Sequence, residues 1–143
     1  MGTIPKKIQP LIDAAFPQNV CLVGSVLDNG FAQITPRGST QVFDDDHISL
    51  WERGRGSTTA QLTDGAKVTV FYLNFGARDV LPIAGIARLY GTATVHKSGA
   101  VYDRVWERLI EPEKKGDPEK KGWAVLIKVE RAEDLFGQPL RDG

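Results

Sequence analysis

The feature that most constrains this chain is the stretch over residues 31–62, where short β-prone runs alternate with turns and end in a glycine-containing loop. The stretch reads FAQITPRGSTQVFDDDHISLWERGRGSTTAQL. Its β-prone runs cover residues 31–35, 40–43 and 47–52, and we interpret each of them as a strand. Because tight turns join the runs, we expect neighbouring strands to pair antiparallel.

The loop at residues 53–59 has the composition of a phosphate site. It places two guanidiniums, two glycines and three hydroxyls at the start of a helix predicted over residues 57–62. Free backbone N–H groups and the positive end of a helix dipole point outward at such a place. Arginine adds charge-assisted hydrogen bonds to an anion.

The rest of the chain continues the pattern of strands and tight turns. Asp28-Asn29-Gly30 is a strong hairpin signal. Ser98 is a good N-cap for a helix that ends near residue 110. The predicted strands cover residues 20–27, 31–35, 39–43, 47–52, 66–75, 80–96 and 123–130. The predicted helices cover residues 9–16, 57–62 and 98–110. About seven strands and three short helices indicate a mainly β fold, a small antiparallel barrel whose long strands bend at glycines.

Three chemically conspicuous features receive structural interpretations. Cys21 lies in an apolar run, and we expect a buried, inert thiol. The three adjacent aspartates at residues 44–46 are interpreted as a solvated turn, because a tight turn cannot direct all three at one metal ion. The segment PEKKGDPEKKG at residues 112–122 is interpreted as a charged, exposed loop in which acidic residues offset the lysines.

The length, net charge and cysteine content of the chain limit which partners we expect. At 143 residues we expect a single domain over residues 1–143. Eighteen basic and eighteen acidic residues cancel, so composition predicts neither a nucleic-acid nor a membrane partner. The single cysteine and the absence of a hydrophobic signal or spanning segment predict a cytoplasmic protein.

Catalytic motifs are absent from the sequence. The two histidines, His47 and His96, are far apart and lack metal-ligand spacing, so no metal site is predicted. No nucleophile elbow, Walker loop or dinucleotide-binding fingerprint occurs. A phosphate-binding loop without catalytic side chains is typical of a binding barrel whose cofactor carries the chemistry.

The order of these segments resembles that of the pyridoxamine 5′-phosphate oxidase-like family of FMN-binding split barrels. The likeness covers roughly residues 8–130. It is carried by TPRGSTQVFDDDHISLWE and RGRGSTTAQL, followed by AKVTVFY. The resemblance implies an antiparallel split β-barrel of the FMN-binding type, a homodimer with FMN at the subunit interface, and a flavoprotein that is an FMN-dependent oxidoreductase.

The resemblance also implies which residues bind the cofactor. The isoalloxazine ring and ribityl chain would be contacted by Pro36, Arg37, Gly38 and Ser39. The phosphate would be held by Trp51, Glu52, Arg53, Ser57, Thr58 and Thr59, with Arg55 and Gln61 as further candidates. The classical oxidases carry Ser-Arg-Lys in the phosphate loop, whereas this chain has Gly56-Ser57-Thr58. Its phosphate would therefore rely on hydroxyls, backbone N–H groups and an arginine.

Two further expectations concern activity. The tryptophan- and arginine-rich C-terminal segment with which vitamin B6 oxidases bind their substrate is missing, so we expect no pyridoxamine phosphate oxidation. The substrate and the electron donor stay open, and no catalytic residue is named. The alternatives are a flavin-binding protein without turnover, serving electron transfer, storage or redox sensing, and a split barrel that binds haem or a deazaflavin.

Overall fold

The chain is built around one seven-stranded antiparallel sheet. A computed structural model describes residues 2–53 and 62–142. The strands are β1 (Leu22–Val26), β2 (Ala32–Pro36), β3 (Gln41–Asp44), β4 (His47–Glu52), β5 (Lys67–Leu73), β6 (Ile86–His96) and β7 (Trp123–Glu133). The helices are α1 (Gln9–Asp13), α2 (Ala100–Arg108) and α3 (Glu111–Lys115). The sheet order is β2-β1-β5-β6-β7-β4-β3, which confirms the predicted mainly β, antiparallel fold.

The burial pattern of the strands follows from what covers each face. β5 alternates, and Val68 and Val70 are directed into the core. β4 is buried on both faces, because Ile48 and Leu50 join the main core while Trp51 joins a second cluster. The end of β4 is therefore held rigidly from two sides.

The second cluster packs α2 against the outside of β4 and β7. Its buried members are Phe43, Trp51, Val105, Leu109 and Ala124. Tyr102 and Trp106 cover it from the partly exposed side of α2. The apolar face of this helix is therefore a packing surface, and it supports the residues at the end of β4.

The predicted strand over residues 80–96 begins too early. β6 begins at Ile86, and residues 80–85 form turns that return the chain to β5. Gly85 has a φ of 70°, and a Cβ there would collide with the carbonyl of Asn74. Only glycine fits this left-handed position, so Gly85 marks a turn before the strand instead of a bend within it.

The helices also differ from their predicted bounds. α1 ends at Asp13, four residues before Pro17, and is preceded by a 3-10 turn at Lys6–Ile8. The N-cap of α2 is Gly99, without a side-chain cap, so Ser98 does not serve as the cap. The helix predicted over residues 57–62 lies, except for its last residue, outside the described residues. Within the described ranges, no helix combines the length and apolar character needed to cross a bilayer.

The segment at residues 112–122 is not simply the exposed loop that its charge predicts. It contains all of α3 except the first residue, and its Asp117 is only 5% exposed. The Asp117 carboxylate accepts hydrogen bonds from the backbone N–H groups of Lys121 and Gly122, at 3.0 and 2.7 Å. The segment therefore folds back on itself around a buried carboxylate.

The predictions for Cys21 and for the aspartate turn agree with the structure. Cys21 is fully buried, and burial raises the pKa of its thiol to about 12, so the group stays protonated at neutral pH. In the turn, Asp44 binds His47 at 2.7 Å and Asp46 accepts the N–H of Thr3 at 2.9 Å. The aspartates thus diverge toward different partners.

Candidate functional site

A cleft of about 350 Å³ lies where the turn after β2 faces the end of β4. It is lined by Thr35, Pro36, Arg37, Gly38, Ser39, Trp51, Glu52, Arg53 and Glu113. Every predicted cofactor-binding residue that the structure describes is in this lining. The remaining candidates, which lie outside the described residues, are Arg55, Ser57, Thr58, Thr59 and Gln61.

The cleft has two arms, residues 36–39 in the turn between β2 and β3 and residues 51–53 at the end of β4. Hydrogen bonds of the turn hold these arms together. The turn is closed by Thr40, whose N–H and hydroxyl both donate to the carbonyl of Arg37, at 3.2 and 2.8 Å. The hydroxyl of Ser39 accepts the N–H of Trp51 at 3.0 Å and donates to its carbonyl at 3.4 Å. Ser39 is therefore occupied with the backbone of β4, and its predicted cofactor contact remains a prediction.

An ion pair joins the two arms inside the cleft. Arg37 Nη1 lies 2.7 Å from Glu52 Oε2, with the side chains 13% and 0% exposed. Neither carboxylate oxygen of Glu52 accepts a hydrogen bond of normal geometry from the described residues, and Arg37 Nε also lacks an acceptor among them. A buried carboxylate beside an anion is repulsive, so the Glu52 side chain is unsuited to the phosphate contact that the resemblance implied.

The second arginine of the cleft is paired as well. Arg53 Nη2 donates to Glu113 Oε1 at 3.1 Å, with side-chain exposures of 33% and 13%. The guanidinium lies against the backbone of Gly116, where a Cβ would come within 2.5 Å of Arg53 Cζ. Arg53 therefore brings a partly exposed positive side chain, paired with the carboxylate of Glu113, to the lining of the cleft.

Trp51 supports the cleft from behind. Its ring packs on Tyr102 and Trp106, with centroid distances of 5.2 and 5.0 Å. Its Nε1 donates to Asp117 Oδ2 at 2.9 Å. Gly122 brings its backbone against the carbonyl of Glu52 and the Trp51 indole, where a Cβ would not fit. The indole thus has a packing role, and a direct cofactor contact by Trp51 remains a prediction.

Sequence analysis missed the contribution of the segment at residues 112–122. Glu113 lines the cleft, and Gly116 and Asp117 hold Arg53 and Trp51 from behind. The one available sign was an aspartate between two glycine-ended repeats, a pattern that also fits a solvated turn.

A second concavity, which we call the apolar groove, has a volume of about 730 Å³ and lies on the face formed by β1, β2, β5 and β6. Val26 and Ile34 project into it and are 68% and 66% exposed. Polar side chains form its edge, among them Tyr90, whose hydroxyl donates to Glu133 Oε1 at 2.6 Å. That hydrogen bond raises the pKa of Tyr90 and lowers the pKa of Glu133.

Solved structures with the same fold exist. The chain is similar to HupZ of Group A Streptococcus, with 24% identity, a TM-score of 0.70, and 96% of this chain and 98% of that chain covered. It is similar to an FMN-binding protein of Syntrophomonas wolfei, with 20% identity, a TM-score of 0.59, and coverages of 89% and 82%.

It is also similar to a protein of Clostridium acetobutylicum related to general stress protein 26 and placed in the pyridoxinephosphate oxidase family. The identity is 15%, the TM-score 0.58, and the coverages 79% and 76%. No family model and no curated protein sequence matches the chain. At these identities the likeness shows the fold, and the chain has the split-barrel fold of pyridoxamine 5′-phosphate oxidase-like proteins, as predicted.

Proposed function

We propose that this chain is a flavoprotein that binds FMN in the cleft and acts as an FMN-dependent oxidoreductase. One observation carries the proposal: the cofactor-binding residues that the family resemblance implied, as far as they are described, line a single cleft. The similar protein of Syntrophomonas wolfei, which has the same fold, is an FMN-binding protein. A fold alone does not determine function, so the cleft residues are the main support.

The chemistry of the cleft fits the parts of this cofactor. The turn at residues 36–39 would run along the isoalloxazine ring, and Arg53 with Ser57, Thr58 and Thr59 would hold the phosphate by charge and hydrogen bonds. The volume of about 350 Å³ is in the range of small-ligand sites. When bound, the flavin supplies the capacity to accept or donate a hydride.

The residues of the protein would bind the flavin, orient it and shield it. The described lining of the cleft holds no histidine, cysteine or tyrosine, which are common groups for proton transfer near neutral pH. The buried end of β4 gives the cleft a rigid wall, because strands covered on both faces are held by close packing. Substrate identity would then depend on access to the flavin.

The visible absorption spectrum of the purified protein tests this function. We expect the two-band spectrum of an oxidised flavin, bleaching when a reduced nicotinamide is added without oxygen, and recovery with an acceptor. A flavin spectrum without bleaching would favour an electron-transfer, storage or sensing protein. A Soret band would indicate haem as the ligand instead of FMN, and a single deazaflavin band would indicate a deazaflavin. A colourless protein that takes up no flavin would contradict the proposal.

We further propose that two subunits pair through the apolar groove, with FMN at the interface. Val26 and Ile34 expose about two thirds of their surface there, and contiguous exposed apolar surface marks interaction sites. On β2 the groove ends at Ile34, and the lining of the cleft begins at the next residue, Thr35. A partner subunit seated on the groove would therefore stand beside the cleft and shield the ring.

Ile34→Glu is expected to convert the dimer into a monomer at micromolar concentration. The substitution would bury a carboxylate in an apolar interface, which costs several kcal/mol, on the order of a thousandfold in association. Light scattering after size exclusion gives the mass, against 15.7 kDa for one chain. The control is Phe75→Glu, since Phe75 is 60% exposed but outside the groove. A parent protein that is already monomeric would rule out this pairing.

A further inference from the structure

The two arginines that line the cleft are balanced by carboxylates in different ways. Arg53 pairs with Glu113, whose side chain is partly exposed. Arg37 Nη1 lies 2.7 Å from Glu52 Oε2, and both carboxylate oxygens of Glu52 are buried. A ligand in the cleft can therefore compete with Glu113 for Arg53, but it cannot touch the carboxylate that balances Arg37.

The countercharge of Arg37 is thus a fixed part of the structure. Glu52 is the last residue of β4, and the residues before it, Leu50 and Trp51, belong to the two buried clusters that hold this strand. Arg37 approaches Glu52 from the other arm and keeps a small exposed fraction in the lining of the cleft. Because the two opposite charges lie so close together, their fields largely cancel at a ligand, and the pair presents little net charge.

The net charge beside a flavin affects how readily the flavin takes up a hydride. The oxidised isoalloxazine ring is neutral, and a hydride, which is one proton with two electrons, adds one negative charge to it. A cation beside the ring stabilises that charge, and charges near the ring nitrogens are one means by which proteins tune a flavin. The effect is strong in a cleft that excludes water, because buried charges are screened weakly.

We propose that Glu52 is a positioning residue that holds Arg37 and cancels its charge, and that it thereby keeps the hydride affinity of the bound flavin low. The inference rests on the proposed function, in which the turn at residues 36–39 runs along the ring, and it deepens that function. Beside a balanced Arg37, the flavin gives up a hydride more readily than beside an unpaired guanidinium. The reaction class is therefore a reduction, in which the flavin takes a hydride from a donor such as a reduced nicotinamide and passes it to an acceptor.

The ratio of the affinities for reduced and oxidised FMN sets the midpoint potential of the bound flavin and tests this role. Glu52→Gln keeps the shape of the side chain and removes its charge. We expect the ratio to rise on the order of tenfold, which raises the midpoint potential of a two-electron couple by about 30 mV. Anaerobic equilibration of the flavoprotein with a reference dye gives the potential of each variant.

Two further variants separate the charge of Glu52 from its place in the structure. The double variant Arg37→Gln/Glu52→Gln removes both charges and leaves two amides that can hydrogen-bond to each other. Its affinity ratio should return to that of the parent protein. Arg37→Gln removes only the cation, so its ratio should shift in the direction opposite to that of Glu52→Gln.

The outcomes distinguish this inference from the proposed function. An unchanged ratio in a folded Glu52→Gln protein, or a shift in the same direction in all three variants, would overturn the role of Glu52 and leave FMN binding intact. If Glu52→Gln does not fold, a lower ratio in Arg37→Gln than in the double variant supports the inference, and equal ratios overturn it. Failure of the parent protein to bind FMN would overturn the proposed function itself.

Discussion

Replacing Arg53 with alanine is expected to weaken FMN binding by about 10- to 150-fold and to leave riboflavin binding nearly unchanged. FMN differs from riboflavin by one phosphate, and Arg53, whose side chain is one third exposed, lines the cleft. A charge-assisted hydrogen bond to that phosphate accounts for about 1.5–3 kcal/mol. Isothermal titration of both flavins against parent and variant gives the two ratios.

Two other substitutions locate the phosphate contact within the loop. Thr58→Ala should weaken FMN by a similar factor, and the effect of Arg53→Ala should shrink more with added salt, because only arginine carries a full charge. Arg55→Ala shows which guanidinium is used. A loss confined to Arg55→Ala would move the contact to that residue. Equal losses of FMN and riboflavin in all three variants would mean that the phosphate is held elsewhere.

The pairing of Arg53 with Glu113 supplies a reciprocal control. A phosphate must share or displace the Glu113 carboxylate, which lies 3.1 Å from Arg53. Glu113→Gln should therefore strengthen FMN binding by about two- to fivefold, the range of a partly exposed ion pair. Glu119→Gln is the matched control, because Glu119 holds the same place in the second repeat but pairs with the exposed Lys121. FMN binding weakened by Glu113→Gln would contradict competition for Arg53.

Asp117→Ala is expected to lower the free energy of unfolding by about 3 to 5 kcal/mol. The buried carboxylate accepts hydrogen bonds from Trp51 Nε1 and from two backbone N–H groups. Each donor that loses a charged acceptor costs about 1–3 kcal/mol, and the losses overlap because the donors share one group. Urea unfolding followed by tryptophan fluorescence measures the change.

The matched control for Asp117 is Asp103→Ala. The Asp103 side chain is 64% exposed and lies 4.0 Å from Lys120, so its loss should change stability by no more than about 0.5 kcal/mol. If Asp117→Ala were as mild as Asp103→Ala, the segment at residues 112–122 would not support the cleft wall. A stable Asp117→Ala protein with weakened flavin binding would show a role in the site separate from folding.

Local sequence patterns were sufficient to predict the strands and turns of this protein. The Asn29-Gly30 turn and the β-prone runs determine short antiparallel strands, because side-chain alternation and turn residues act over a few positions. The same holds for the two arms of the cleft. The residues 36–39 and 51–53 are each contiguous, and the barrel brings the two segments together. Local patterns were weaker at element ends, as at β6, where Gly85 serves a turn.

Only the tertiary structure decided which charges meet. The repeats PEKKG at residues 112–116 and 118–122 are identical, yet Glu113 pairs with Arg53 whereas Glu119 remains at the surface. Arg53 and Glu113 are 60 positions apart, and no pattern in a linear sequence distinguishes two equal glutamates at that separation. The packing of α2 and the burial of Asp117 place one repeat over the cleft. The sequence by itself therefore determined the barrel and the two arms of the cleft, and the packing of distant segments determined their electrostatics.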